Sequence, residues 1–168
     1  MHWRVTQGDV LTTAADVLIC TANPWLNLSG GINGAVLQAG GESIQRELHA
    51  QLKTAGARQV PPGSIVRSGA GPLPFQHILH AVAIDVFYAS SMEIVRQTFA
   101  NAMTRAIELG AQSIASPTLA TGYGPLRIRE FGQAISPVLH ELQAECELTL
   151  VVRRAEHVRE LEESLERQ

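Results

Sequence analysis

TANPWLNLSGGINGAVLQAGG, residues Thr21 to Gly41, begins where an apolar run ends and finishes in a helical pattern. The run before it, Val17-Leu18-Ile19-Cys20, reads as a buried strand. Asn23, Pro24 and Asn27 make a polar turn. Ser29-Gly30-Gly31 then leads into Ile32, Ala35, Val36 and Ala39 at helical spacing. Strand, glycine-rich loop and helix start in that order gather backbone N–H groups around one small space. The first N–H groups of a helix lack internal partners, so such a space suits an anion, phosphate above all.

Working outward, Trp3 to Thr6 alternate as a first strand and Val17 to Ala22 form the second. Gly40-Gly41 ends the first helix, and Ser43 is placed to cap a helix running to about Lys53. A short strand opens at Ser64, and His77 to Ile84 form a strongly apolar one. Ser91 to Leu109 reads as a helix closed by Gly110. Ser113 to Pro117 is a strand, Leu119 to Leu126 a second glycine-containing loop, and Arg129 to Ala144 a helix that Pro137 should kink or restart. Leu148 to Val152 is a last buried strand and Glu156 to Glu166 a last helix. Strands alternating with helices imply a largely parallel sheet covered on both faces, with ligands beyond the carboxyl ends of its strands. Both glycine loops begin at such ends.

With 168 residues the chain corresponds to one domain, and 45% apolar residues suffice for a full core. A formal net charge of −3 without a basic stripe argues against a nucleic-acid binder. No apolar stretch reaches membrane-spanning length, and Met1-His2-Trp3-Arg4 goes directly into a strand pattern rather than a signal-peptide core. Cys20 and Cys146 lie in or beside apolar strands and are expected as buried free thiols in a reducing, cytoplasmic setting. Six scattered histidines lack zinc spacing, so neither a metal nor a cofactor is expected.

The first loop has neither the Walker pattern nor the G-x-G-x-x-G spacing of a dinucleotide turn. The second, Ala120-Thr121-Gly122-Tyr123-Gly124-Pro125, offers close backbone approach, a hydroxyl and a ring, and could wrap a diphosphate from the opposite side. Asp9, after Gly8, is either a turn or cap aspartate or an acceptor for an exocyclic amino group of adenine, because a carboxylate only accepts. His80 reads as a packed histidine of the sheet. Trp25 is open between lying over the cleft and lying beneath it.

In order and spacing, G-D-V near the start, V-L-I-C-T-A-N-P, S-G-G-I-N-G-A-V-L-Q-A-G-G, G-S-I-V-R-S-G-A-G-P-L-P, I-L-H-A-V and S-P-T-L-A-T-G-Y-G resemble the macrodomain family over almost the whole chain. The resemblance implies one macrodomain over residues 1–168. Its fold would be a three-layer α/β/α one, with a central mixed, mostly parallel sheet and an ADP-ribose-binding cleft. It also implies roles. Asp9 would bind the adenine amino group, with the Val10 backbone beside it, and Asn23 would face the distal ribose. Ser29, Gly30, Gly31 and Ile32 would line the distal ribose and its phosphate, while Thr121, Gly122, Tyr123 and Gly124 would form the opposite diphosphate loop.

Three departures from the family pattern bear on function. Asn33 stands where hydrolytic members of the best-known type carry an aspartate, and an amide cannot act as a general base. The second loop is shorter by one residue than in many members. Arg153-Arg154 replaces an aromatic after the last strand; Arg153 can stack on adenine, or the pair can be solvated. The expected function is binding of free or protein-linked ADP-ribose by a monomer. The alternative is a hydrolase that removes ADP-ribose from proteins or deacetylates O-acetyl-ADP-ribose, with Asn23 orienting water and Asn33 as the second tentative catalytic position.

Overall fold

Short, largely apolar runs become a six-stranded sheet in the protein, a computed structural model that describes residues 1–166. The strands are β1 (His2–Gln7), β2 (Val17–Ala22), β3 (Ile65–Ser68), β4 (His77–Val82), β5 (Ser113–Ser116) and β6 (Glu147–Val152). Their order is β1-β6-β5-β2-β4-β3, and every neighbouring pair is parallel except β3–β4. That exception follows from the connection between them. Residues 69–76 contain no helix, and so short a link can return the chain only antiparallel.

Helices α1 (Gly31–Gly40) and α2 (Glu42–Thr54) cover one face of the sheet; α3 (Met92–Glu108), α4 (Ile128–Glu141) and α5 (Ala155–Glu166) cover the other. The result is three layers, α/β/α. Strand β2 shows why. Val17 and Ile19 join the core under α3 to α5, whereas Leu18, Cys20 and Ala22 join the core under α1 and α2. Phe99 of α3 meets Phe131 of α4 edge to face at 6.1 Å, and both are fully buried. Each such ring contributes about 1.5–3 kcal/mol by leaving water.

Element boundaries differ from expectation in specific places. Ser91 does cap α3, its hydroxyl accepting from the Ile94 N–H at 3.2 Å. Ser43 does not cap α2; Gly41, at φ 88°, is the N-cap and Ser43 lies inside the first turn. Helix α4 runs unbroken past Pro137 and stops at Glu141 rather than Ala144. Strand β4 ends at Val82, two residues before the expected Ile84. Cys20 and Cys146 are free and buried. Among the described residues no helix is long and apolar enough to cross a membrane.

Candidate ligand-binding cleft

Beyond the carboxyl ends of β2, β5 and β6 lies a cleft of about 670 Å³. That size suits a small organic ligand, since such sites span about 300–1,000 Å³. The loop after β2 forms one wall, with Asn23 and Ser29 to Asn33 facing the cleft. The loop after β5 forms the other, from Pro117 to Gly124, and Val151 to Arg154 close one end. Among the described residues no Asp or Glu lines it.

The first wall is held from below. Asn23 is buried; its Nδ2 donates to the Asn27 carbonyl at 2.8 Å and its Oδ1 accepts from the Asn27 N–H at 3.1 Å. Leu26, at φ 56°, turns the chain between them. Gln45 of α2 then acts as a surrogate peptide. Its Nε2 donates to the Leu26 carbonyl at 2.9 Å and its Oε1 accepts from the Leu28 N–H at 2.7 Å. His49, one turn further along α2, reaches Asn27 Oδ1 at 2.9 Å. Gln45 and His49 escaped the sequence reading. Their i, i+4 spacing is visible, but which loop α2 would meet is not.

Above this support α1 starts without a side-chain cap. Gly30 is its N-cap at φ 65°, and the first helical bond is Gly34 N–H to the Gly30 carbonyl. The N–H groups of Gly31, Ile32 and Asn33 find no acceptor among the described residues. They make the anion-ready helix start read from the sequence.

The second wall arches over the first. Ala120 takes φ 58° and its carbonyl accepts from the Leu126 N–H at 3.0 Å, closing the loop. Thr121 shares a 2.6 Å hydroxyl–hydroxyl bond with Thr118. Tyr123 is 69% exposed, yet its hydroxyl lies where a Cβ on Gly30 would stand. Only glycine at position 30 admits that approach, so Tyr123 bridges the two walls. Tyr88, at φ 61°, packs against it at 6.4 Å between ring centroids, and Trp25 backs Tyr88 at 6.3 Å. Trp25 thus belongs to the rim behind Tyr88 and not to the cleft lining.

Asn33 lines the cleft in the first turn of α1, its Oδ1 3.8 Å from Cys20 Sγ. Burial pushes the Cys20 thiol up to about 12, so it supplies no thiolate near neutral pH. His80 does not reach the cleft lining. It is packed in β4 with Nε2 2.8 Å from Ser68 Oγ, and Ser68 donates onward to the Gly69 carbonyl. That assigns the ring proton to Nε2 and leaves Nδ1 an unpartnered acceptor.

At the far end, Asp9 and Val10 stand outside the cleft lining. Asp9 Oδ1 accepts from the Leu11 N–H at 3.0 Å and caps the 3-10 turn Val10–Thr12; among the described residues its other oxygen has no partner. Gln7 Nε2 donates to the Arg153 carbonyl at 3.3 Å, which sets Asp9 beside the start of the Arg153-Arg154 pair. Thr118, Ile128 and His157 also line the cleft and had not been singled out as ligand-binding residues. Among the described residues no group of three or more His, Cys, Asp or Glu could hold a metal ion.

A model of the Macro domain family matches residues 19–135. An O-acetyl-ADP-ribose deacetylase of Klebsiella pneumoniae is 35% identical over 126 residues, which cover 72% of this chain and 70% of that protein. Other relatives, in Thermotoga maritima, Pyrobaculum aerophilum and Sulfurisphaera tokodaii, are 31–34% identical, and the match spans 20%, 62% and 65% of their lengths. Among solved structures, an Oceanobacillus iheyensis macrodomain with ADP has a TM-score of 0.86 at 19% identity, covering 96% of this chain and 88% of that one. A Trypanosoma brucei macrodomain in complex with ADP-ribose has a TM-score of 0.82 at 19% identity, covering 96% and 68%. At that identity these are likenesses of fold.

Proposed function

The chain belongs to the macro domain family, and from that premise we propose that its cleft binds ADP-ribose, free or attached to a protein. The observation that carries this reading is the pair of walls. Three free N–H groups at the start of α1 face a loop whose Tyr123 closes over them, in a cleft that holds no carboxylate. A diphosphate fits between them. The free Asp9 oxygen takes the adenine amino group, beside the Val10 backbone, and the Arg153 guanidinium stacks on the ring. Ser29, Gly30, Gly31 and Ile32 meet the distal ribose and its phosphate from one side, with Asn23 beside them; Thr121, Gly122, Tyr123 and Gly124 meet the diphosphate from the other. The same reading takes residues 1–168 as one macrodomain, monomeric and cytoplasmic, with the buried free thiols as support for a reducing location.

Calorimetry tests it. Wild type should bind ADP-ribose, and Asp9→Ala should weaken binding roughly ten- to a hundredfold, because a hydrogen bond to a charged group contributes about 1.5–3 kcal/mol. No heat at millimolar ligand ends the proposal.

One observation favours a second reading, hydrolysis or deacetylation: the Klebsiella pneumoniae relative is named an O-acetyl-ADP-ribose deacetylase. Asn23 keeps one N–H and one lone pair beyond its bonds to Asn27, enough to orient a water at the cleft wall. A ligand phosphate oxygen would then accept the water's proton. Binding ranks first because Asn33 supplies no base and no negative charge. Release of ADP-ribose from a modified protein should therefore be slow, and Asn33→Asp should speed it. Fast release by wild type, abolished in Asn23→Ala, would reverse the ranking.

A further inference from the structure

Among the described residues, both arginines that line the cleft lie at one end. Among the described residues, Arg153, Arg154 and His157 are the basic side chains that line it, in a chain where 16 acids outnumber 13 Lys and Arg. They stand where β6 passes into α5, whereas the two walls follow β2 and β5. Strands lie about 4.8 Å apart, so the helix start after β2 is about 10 Å across the sheet from the end of β6. A diphosphate held between the walls leaves these arginines unneutralised. One planar guanidinium, that of Arg153, covers an adenine face. Arg154 and His157 remain, joined across the first turn of α5 by the His157 N–H to Arg154 carbonyl bond of 3.1 Å. Arg154 meets Glu156 at 3.6 Å, and both side chains are about 70% exposed, so water screens the pair.

We propose that Arg154 and His157 form a subsite for a phosphate monoester on the adenosine ribose, so that the cleft prefers an ADP-ribose phosphorylated at that sugar. This rests on the reading that the cleft holds ADP-ribose with its adenosine toward β6. The chemistry is that of other nucleotide sites, where an arginine beside the adenosine ribose accommodates a 2′-phosphate. The guanidinium fork matches phosphate oxygens two at a time, and a half-buried imidazole adds a third donor.

The experiment is calorimetric titration of wild type with ADP-ribose and with 2′-phospho-ADP-ribose. Adenosine 2′,5′-bisphosphate, adenosine 3′,5′-bisphosphate and AMP are compared as competitors. The 2′-phosphorylated ligand should bind at least about tenfold tighter than ADP-ribose, and one bisphosphate should compete better than AMP by a similar factor. Arg154→Ala and Arg154→Gln should each erase that gain while moving the Kd for ADP-ribose less than about threefold. Equal or weaker binding of the phosphorylated ligand overturns the proposal. So does a gain that survives both Arg154 variants, because the phosphate is then recognised elsewhere. If ADP-ribose itself does not bind, the functional reading fails separately; the subsite then stands only if the 2′-phospho ligand binds and loses that binding in both Arg154 variants.

Discussion

Gln45 carries more of the cleft than its polar, half-buried position suggests. It stands in for a strand partner to the Leu26 carbonyl and the Leu28 N–H, two backbone groups of buried residues. Removing it leaves both without a partner, and each orphaned group costs about 1–3 kcal/mol unless water enters. Gln45→Ala should lower the urea midpoint by an amount worth about 1–3 kcal/mol and should weaken ADP-ribose binding at least about tenfold, because the loop before Gly30 loses its anchor. An unchanged affinity alongside reduced stability would show that the loop is held by Asn23 alone. The contrast with Asn23 shows what the sequence makes visible at this scale. The place of Asn23 on the loop after β2 was legible, because it follows an apolar run and precedes a glycine pair. Its commitment to the Asn27 backbone was not, and neither was Gln45, because side-chain hydrogen bonds across 17 or 19 residues depend on how α2 docks.

Strands and helices were more legible than the ties between them. The second strand was read with its observed bounds, Val17–Ala22, because its apolar run is bounded by Asp16 and Asn23. The start of α2 was misread because Ser43 resembles a cap, whereas the chain turns at Gly41, where a φ of 88° is open to glycine. Asp16 drew no attention in the sequence. It is in fact the knot at the end of the sheet opposite the cleft. Its Oδ2 accepts the Gln112 and Ser113 N–H groups at 2.9 and 3.0 Å, and its Oδ1 accepts from Gln76 at 3.1 Å. The starts of β2, β4 and β5 are thereby joined. The Gln112 N–H, followed by the donors of Ser113 and Gln76, holds the Asp16 carboxyl below its ordinary value of 3.8. A depressed carboxylate contributes stability above its unfolded pKa, and that contribution is lost as the pH falls through the folded value. Asp16→Asn should cost about 1 kcal/mol at pH 7, because the carboxyl lies near solvent that screens its contribution, and the gap between variant and wild type should narrow as the pH falls below about 4. Urea denaturation at pH 7, 4 and 3 measures both, and a gap that does not narrow at all between pH 7 and pH 3 would mean that packing, not charge, is what Asn lacks.

At the scale of the molecule the sheet separates two tasks. Its carboxyl edge presents the walls of the cleft, while its middle is sealed between the two helical layers. The fold class was legible because β-period and helix-period segments alternate along nearly the whole chain. The wall contacts were not, because Tyr123 over Gly30 joins loops more than 90 residues apart. The seal sets how the molecule meets acid. His80 lies opposite Cys20 in the register of β2 and β4, inside the core under α1 and α2, where burial lowers its pKa to about 4. Its Nδ1 has no partner, so a proton there would be an uncompensated buried charge. The unfolded chain, with a histidine pKa of about 6.5, takes up that proton first. Stability is therefore at its full value above pH 6.5 and is lost as the pH falls toward 4, at a slope that approaches 1.4 kcal/mol per pH unit from this one group. His80→Gln removes the titration. Urea denaturation at pH 7, 6 and 5 should show the wild-type advantage over that variant shrinking with each step, while NMR of the wild-type ring shows a neutral imidazole down to about pH 5. A constant difference across those three pH values, with the ring charging near pH 6.5, would mean that water reaches His80 and that the sheet is not sealed there.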